Sequence, residues 1–151
     1  MRLLEQAKVE YKHYSYANTD AISGVEVAEV LGQNVDKVFK TLVTVGKSGE
    51  HYVFVVPVAE ELDLKKAAKA VGQKSLSMLH VKDINGVTGY IRGGCTAIGM
   101  KKQYPTVIEK KAEGLPSVIV SGGRIGSQIE LLPADLARAA EAQFEDVVTE
   151  P

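Results

Sequence analysis

Two apolar segments that follow each other along the chain constrain the fold more than any other feature. Residues 38–45 and 52–58 are rich in valine and other strand-forming residues, and a polar connection that contains two glycines separates them. Both segments are apolar on both faces, which is typical of strands that are not exposed to solvent on either side. The pattern predicts a hairpin at the centre of a sheet that is covered on both faces.

Capping residues mark two helices. Ser23–Glu26 has the Ser-x-x-Glu spacing of a capping box, and the helix that it opens should end at Gly32. A second helix should begin after Asp63, which can cap it, and end at Gly72. Its apolar side chains repeat with helical spacing and should face the core, while its lysines should be solvated. The apolar positions are Leu64, Ala67, Ala68 and Val71, and the lysines are Lys65, Lys66 and Lys69.

The remaining patterns predict one mixed domain. The chain has no internal repeat, low-complexity linker or compositional break, and its 151 residues are an ordinary length for one domain. We therefore expect a single α+β domain over residues 1–151, with a mixed, mostly antiparallel sheet and flanking helices. Further strands are expected at 76–79, 107–111, 117–120, 128–132 and 144–148, and a further helix at 134–143.

Composition limits the classes of function. Eighteen basic and nineteen acidic residues give a net charge of −1, so we expect no DNA partner, and any RNA contact must use a local patch. No apolar stretch approaches the roughly 20 residues that a membrane span needs. Glu5 interrupts the region where a signal peptide requires apolar residues, and Cys95 is the one cysteine. These features predict a cytoplasmic protein without an internal disulfide or a membrane segment.

A lysine interrupts the first of the two apolar strands. Lys40 would share a face with Val38 and Leu42, where an ammonium group must snorkel, find an anionic partner or face a cleft. On position alone, a cleft lysine and an edge-strand lysine that prevents further sheet pairing are equally good interpretations. In a cleft, Lys40 would attract a phosphate or carboxylate, or stabilise a developing oxyanion by its charge.

Two glycine-rich segments downstream favour the cleft. Residues 93–99 and 120–123 would let a bulky anionic substrate approach the backbone closely. The first segment matches neither the phosphate-binding P-loop nor the dinucleotide fingerprint. Ser121, in the second, lacks the Gly-x-Ser-x-Gly surroundings of a nucleophile and is better interpreted as a hydrogen-bonding turn residue.

No spacing marks a protein nucleophile, a metal centre or a catalytic carboxylate pair. Cys95 would need a neighbouring base to act as a thiol nucleophile, and no motif places a histidine beside it, so we interpret it as non-catalytic. We expect neither a zinc site nor another metal site. The residues considered for these roles are His13, His51, His80, Asp83, Glu109 and Glu130.

Three segments, in the same order along the chain, closely resemble the YbaK/EbsC family. They are Val-Phe-Lys-Thr-Leu at 38–42, Gly-Tyr-Ile-Arg-Gly-Gly-Cys-Thr-Ala-Ile-Gly at 89–99 and Val-Ser-Gly-Gly at 120–123. The family comprises free-standing aminoacyl-tRNA deacylases related to the editing domain of bacterial prolyl-tRNA synthetase. The resemblance extends from about Tyr14 to Phe144 and implies the fold of that editing domain, without a cofactor.

The resemblance assigns roles to individual residues. Lys40, Gly94 and Ser121 match the family's active-site lysine, a glycine of its substrate loop and the serine of its Ser-Gly-Gly turn. Ala97 stands where the family usually has proline, and Gln128 where some relatives have aspartate, so the exact substrate preference stays open. The substrate-binding residues that the resemblance implies are Tyr14, Thr41, Gly93, Cys95, Thr96, Gly99, Gly122 and Gln128.

The resemblance implies removal of a misattached amino acid from tRNA, with cysteine on tRNA(Pro) as the leading substrate. The cysteinyl thiol would attack its own ester carbonyl and leave as a thiolactone. The protein would only position the reacting atoms, with Gly93 and Gly94 at the carbonyl oxygen and Lys40 at the terminal phosphate or ribose. Its partners would be the acceptor end of aminoacyl-tRNA and a prolyl-tRNA synthetase. The alternatives are hydrolysis of Ala-tRNA(Pro) by water and a non-catalytic module that binds aminoacyl ends or nucleotides and regulates a partner.

Overall fold

Strands and short helices alternate along the part of the chain that the computed structural model describes, which is residues 9–15, 27–28, 31–90, 95–100, 102–124 and 126–150. The strands are β1 (Lys12–Ser15), β2 (Phe39–Gly46), β3 (His51–Pro57), β4 (Leu76–Met78), β5 (Thr106–Glu109), β6 (Val118–Ser121), β7 (Ser127–Leu131) and β8 (Ala142–Glu145). The helices with complete bounds are α1 (Leu64–Ala70), α2 (Ile84–Thr88) and α3 (Pro133–Ala140). Short 3-10 turns occur at Val35–Lys37, Val81–Asp83 and Lys110–Gly114.

The strands form two sheets that meet at one point. The larger has the order β4-β2-β3-β5-β8, in which β5 and β8 are added in parallel to the central hairpin. The smaller sheet is antiparallel and has the order β1-β7-β6. A parallel bridge between Val38 and Ile119 connects the start of β2 to β6. The predicted mixed, mostly antiparallel α+β fold is therefore confirmed.

The central hairpin is covered on both faces, as its apolar pattern predicts. Val53–Val56 of β3 are each at most 1% exposed. Alternate side chains of this run belong to two different hydrophobic clusters. One cluster contains residues of β7 and α3, and the other contains Ala67 and Ala68 of α1. Strand β2 lies between β4 and β3, but β4 pairs only with Thr44–Gly46, so the edge-strand interpretation of Lys40 stays a prediction.

Helix α1 confirms the predicted cap and most of the predicted stripe. The carboxylate of Asp63 accepts hydrogen bonds from the backbone N–H groups of Lys65 and Lys66 at 2.9 and 3.2 Å. Leu64 is 36% exposed, so its expected place in the core is wrong, because this first-turn residue precedes the buried face. The expectation of a fully solvated Lys66 is also wrong, since its ammonium pairs with Asp146 at 3.2 Å.

Several element ends differ from the predicted ranges for local reasons. Strand β5 ends at Glu109, because the Glu109 carboxylate accepts from the backbone N–H of Lys111 at 2.7 Å and turns the chain into a 3-10 helix. Helix α3 stops at Ala140, since Glu141 adopts a left-handed conformation with φ 52°. Strand β8 consequently begins two residues earlier than expected and ends at Glu145 rather than at residue 148.

The sequence patterns missed two elements and located the end of a third. Strand β1 is short and polar, and α2 contains residues that form helices poorly, so neither has a recognisable pattern. Gly32 has φ 66°, which confirms the helix end expected there, whereas Ser23–Glu26 lies outside the described residues. Within the described ranges, every helix is too short or too polar to cross a bilayer.

Replacement of Asp63 should measure the value of the α1 cap. Asp63→Ala removes two hydrogen bonds to otherwise unpaired N–H groups, so we expect the free energy of unfolding to fall by about 1 kcal/mol. Urea denaturation followed by circular dichroism would measure it. Asp83 is the matched control, because it precedes α2 and makes no side-chain cap bond. Equal losses in Asp63→Ala and Asp83→Ala would contradict the assignment.

Candidate functional site

The junction between the two sheets brings two predicted site residues into register. Val38 and Ile119 form the parallel bridge, and Lys40 and Ser121 each lie two residues further along their strands. Because side chains alternate along a strand, Lys40 shares the face of Val38, and Ser121 shares the face of Ile119. Val38 and Ile119 pack in the same small cluster with Ala28. Lys40 and Ser121 therefore extend from this cluster on the same side of the two sheets.

A row across the smaller sheet adds two more predicted residues. Gln128 of β7 is in register with Tyr14 of β1 on one side and with Ser121 of β6 on the other. Residues in register on neighbouring strands point to the same face, so the three side chains are adjacent. Gln128 is 6% exposed, and its Oε1 accepts a hydrogen bond from Gln33 Nε2 at 2.9 Å.

Glu130 organises the polar groups below this row. Its Oε1 accepts from the Tyr14 hydroxyl at 2.6 Å, and its Oε2 is 2.9 Å from the ammonium of Lys37 and also accepts from the Ser117 hydroxyl. Burial alone would raise the pKa of Glu130, but the bonds from Ser117, Tyr14 and Lys37, together with the charge of Lys37, lower it to about 2. The Tyr14 hydroxyl is the donor in this hydrogen bond. The bond, together with burial and the charge of Glu130, raises the pKa of Tyr14. The Tyr14 oxygen is left to act as an acceptor toward a ligand.

The loop that contains Cys95, Thr96 and Gly99 lies against the Ser-Gly-Gly turn. A Cβ added to Gly123 would be 3.4 Å from Tyr90 Cε1 and 4.0 Å from Thr96 Cγ2. The Tyr90 hydroxyl donates to the carbonyl of Ile98 at 2.6 Å and lies 3.3 Å from that of Gly99. Tyr90 thus fastens the loop beside the turn. Gly93 and Gly94, the expected backbone donors, lie outside the described residues.

The Ser-Gly-Gly turn requires its first glycine. A Cβ on Gly122 would be 2.3 Å from Ser127 Oγ and 3.3 Å from its backbone carbon, so no larger residue fits without a shift. The N–H of Gly122 donates to the Ser127 carbonyl at 2.9 Å, and that of Gly123 donates to Ser121 Oγ at 3.2 Å. Ser121 therefore has the turn-stabilising role expected of it, and its own hydroxyl proton can still be donated to a ligand.

Lys40 is half-buried in the first part of β2. Burial lowers the pKa of its ammonium, and the negative charge of Glu61 partly opposes this effect. Among the described residues, no carboxylate lies within 4 Å of its Nζ. Its neighbour Thr41 points to the opposite face, on which Phe39 and Val43 pack with Ala97 of the loop. Lys40 and Thr41 are thus on different sides of the sheet.

The surroundings of Cys95 do not favour a thiolate. Burial raises the pKa of its thiol to about 11, and a hydrogen bond with Thr88 only partly opposes this. Two of the histidines make contacts with other residues. His13 hydrogen-bonds Ser127 Oγ at 2.9 Å, and the ring of His51 packs edge-on against Tyr104. In the described part of the chain, no cluster of three histidine, cysteine or carboxylate residues could hold a metal ion.

Sequence patterns missed three residues at this site. Glu130 has no spacing to another carboxylate that marks it, yet it has the most polar partners of the network. The signal that could have identified it is its position two residues after Gln128 on β7, which puts both side chains on the same face. Gln33 follows a helix end and lies in none of the three motifs, whereas Tyr90 lies inside the motif at 89–99 but was given no role. An open cavity of about 990 Å³ beside β1 and α3 touches Glu130 but is lined by neither Lys40 nor Ser121, so we do not assign it to the site.

Comparisons with known proteins decide the family. The sequence profile of the Aminoacyl-tRNA editing domain matches residues 19–139. The chain belongs to this family. It is 49% identical over 150 residues to an Enterococcus faecalis protein that carries the name Cys-tRNA(Pro)/Cys-tRNA(Cys) deacylase EbsC, with 99% of this chain and 92% of that protein covered.

Two solved structures share the fold. One is described as a trans-editing enzyme for prolyl-tRNA synthetase; it is 27% identical and superposes with a TM-score of 0.85, covering 99% of this chain and 94% of the other. The second, hypothetical protein APE2540, is 20% identical with a TM-score of 0.89, covers 98% and 97%, and supports the fold alone. The expected family, the editing-domain fold and the class of aminoacyl-tRNA deacylases are confirmed. The roles of individual residues stay predictions.

Replacement of Glu130 should change the acid stability of the protein. The carboxylate has a pKa of about 2 instead of 4.5 in the folded protein, so it stabilises the fold above pH 4.5, and this contribution is lost as the pH falls toward 2. The difference corresponds to at most roughly 3 kcal/mol. Glu130→Gln should therefore be less stable than the wild type at pH 7 and similar to it near pH 2.

Urea denaturation at a series of pH values would measure this difference. The exposed Glu113 provides the control, and Glu113→Gln should follow the wild-type curve at every pH. A constant gap between Glu130→Gln and the wild type from pH 7 to pH 2 would show that the carboxylate charge is not responsible.

Proposed function

We propose that the protein removes misattached cysteine from tRNA(Pro) in trans. The proposal is supported by the 49% identity with a protein named as a Cys-tRNA(Pro)/Cys-tRNA(Cys) deacylase over nearly the whole of both chains. A solved structure described as a trans-editing enzyme for prolyl-tRNA synthetase has the same fold. The convergence of Lys40, Ser121, Gln128 and Tyr14 at the sheet junction provides a place for the aminoacyl end.

The reaction proceeds through the thiol of the substrate. The observation that supports this step is that neither candidate nucleophile, Cys95 or Ser121, has a histidine or carboxylate partner among the described residues. Ser127 does contact His13, but it is only 5% exposed and packs against Gly122. The Cys95 thiol is protonated at neutral pH, and Ser121 Oγ accepts a backbone N–H. The cysteinyl sulfur attacks its own ester carbonyl carbon, the C–O bond to the ribose breaks, and the ribose oxygen takes up a proton. The products are a cysteine thiolactone and deacylated tRNA.

The protein accelerates this step by holding the substrate in a reactive geometry. An enforced approach of sulfur and carbonyl carbon to about 3–3.5 Å can remove several kcal/mol from the barrier. The Lys40 ammonium, without a close carboxylate partner among the described residues, is available to a phosphate or ribose oxygen of the terminal adenosine. The Ser121 hydroxyl can donate to the same end, and the Tyr14 oxygen can accept from it.

Selection of the tRNA depends on a partner. A net charge of −1 gives the chain no overall excess of positive charge with which to attract a whole tRNA. We assign tRNA recognition to a prolyl-tRNA synthetase that presents the acceptor end. This assignment also places the protein in the cytoplasm, where aminoacyl-tRNA is made.

Deacylation of separately charged tRNAs tests the substrate. We expect rapid loss of the ester from Cys-tRNA(Pro) and, for the substrate-assisted step, a thiolactone product detectable by mass spectrometry. Ser-tRNA(Pro), in which oxygen replaces sulfur, should react far more slowly because a hydroxyl is a weaker nucleophile. Faster loss of the ester from Ala-tRNA(Pro) than from Cys-tRNA(Pro) would mean that water, rather than a substrate thiol, attacks the ester. If the ester of neither Cys-tRNA(Pro) nor Ala-tRNA(Pro) is lost, the proposal is refuted. Cys-tRNA(Cys) tests whether the protein alone distinguishes the two tRNAs or depends on a synthetase to do so.

Replacement of Lys40 tests the proposed clamp on the tRNA end. Lys40→Ala should reduce kcat/KM for Cys-tRNA(Pro) on the order of 100-fold, because a charge-assisted contact to the substrate is lost. Lys65→Ala is the matched control, since Lys65 is an exposed lysine on α1, and its activity should equal that of the wild type. Cys95→Ser should retain most of the activity, because the protein thiol takes no part in the reaction.

Circular dichroism would establish that the three variants fold. An unfolded Lys40→Ala protein would mean that Lys40 holds the structure together rather than the substrate. Complete inactivity of folded Cys95→Ser would instead assign the nucleophile to the protein.

A further inference from the structure

Gln33 carries a buried acceptor that the fold leaves unused. Its Nε2 donates to Gln128 Oε1 at 2.9 Å. Its own Oε1 is buried and has no hydrogen-bond partner among the described residues. Buried carbonyl oxygens are nearly always paired, because an unpaired one costs free energy. Among the described side chains, this is the one buried polar atom without a partner, and it lies beside the candidate site.

The backbone around Gln33 is held rigidly. Gly32 adopts φ 66° at the end of the preceding helix, and the N–H of Gln33 donates to the carbonyl of Ala28 at 2.8 Å. This is the hydrogen bond of a Schellman helix end. Asn34 then caps the following 3-10 turn through the N–H of Asp36 at 3.0 Å. Gln33 is therefore fixed on both sides, and its side chain is preorganised for binding.

The hydrogen bond to Gln128 places the Gln33 side chain next to the predicted site. Its partner Gln128 lies between Tyr14 and Ser121 in the row across the smaller sheet. Gln33 is thus one hydrogen bond away from the residues that we assign to the substrate end. An acceptor at this place selects a ligand that presents an N–H or O–H group.

We propose that Gln33 is a substrate-binding residue whose Oε1 accepts a hydrogen bond from the aminoacyl-adenosine end. The inference rests on the proposed function and adds a residue that neither the sequence motifs nor the family resemblance identified. Two groups of this ligand have the required chemistry, the α-ammonium of the amino acid and the 2′-hydroxyl of the ribose. Fixing either group next to the ester restricts rotation of the cysteinyl moiety and helps to hold its thiol near the carbonyl.

Binding of stable substrate analogues distinguishes the two donors. The reference ligand is adenosine with cysteine attached at the 3′ position through an amide, the second lacks the α-amino group, and the third lacks the 2′-hydroxyl. Calorimetry should show that Gln33→Leu weakens binding of the reference ligand about tenfold or more. One of the two truncated analogues lacks the group that Gln33 contacts. The wild type and Gln33→Leu should bind that analogue with equal affinity.

Two control proteins support the interpretation. Gln33→Met keeps the length of the side chain without its amide and should show the same loss if the fold is intact by circular dichroism. Gln143→Leu makes the same change on the exposed side of β8 and should bind all three analogues like the wild type.

The outcomes separate this inference from the proposed function. Equal weakening of all three analogues by Gln33→Leu would mean that Gln33 acts indirectly through Gln128, and unchanged binding would also refute the contact. In either case, turnover of Cys-tRNA(Pro) by the wild type would leave the proposed function standing. If the wild type neither binds the analogues nor turns over any aminoacyl-tRNA, both proposals fail.

Discussion

The parallel contact between Val38 and Ile119 is the constraint on which the candidate site depends. It joins the five-stranded sheet to the three-stranded sheet and fixes the register of β2 against β6. Lys40 and Ser121 therefore lie at equivalent positions, each two residues beyond the contact. The two residues are 81 positions apart in the chain, and no local pattern relates them. Burial of Val38 and Ile119 with Ala28 stabilises the junction on the face that carries the polar residues.

A second layer of polar contacts gives these residues their chemical roles. The Glu130 carboxylate is held ionised by Ser117, Tyr14 and Lys37, and it accepts a hydrogen bond from the Tyr14 hydroxyl. The positive charge of Lys37 is balanced by the Glu130 carboxylate, whereas Lys40 has no such close partner among the described residues. The contrast between the two lysines explains why one serves the structure and the other is available to an anionic substrate. A site of this kind fits the proposed reaction, in which the substrate carries its own nucleophile.

Much of the fold could be predicted because its signals are local. The unbroken apolar character of residues 52–58 required a covered strand, and the Asp63 carboxylate marked the start of a helix. Strand β1 could not be predicted, since its four residues are stabilised by pairing with β7 rather than by their own pattern. The predicted end of α3 at residue 143 is wrong for a similar reason, because the left-handed conformation of Glu141 ends that helix and no local pattern marks it.

The sequence by itself determined the central hairpin, the helix capped by Asp63 and, through three motifs, the family to which the chain belongs. It also marked Lys40 and Ser121 as candidates, since a lysine in an apolar strand and a glycine-rich turn are visible locally, and the family resemblance added Gln128. Only the tertiary structure decided which distant groups meet. It set Tyr14 and Gln128 in one row with Ser121, joined Glu130 to Tyr14, and left the side-chain oxygen of Gln33 without a partner among the described residues. These relations arise from strand register and sheet packing, which depend on the whole chain and leave no trace in the spacing of any one segment.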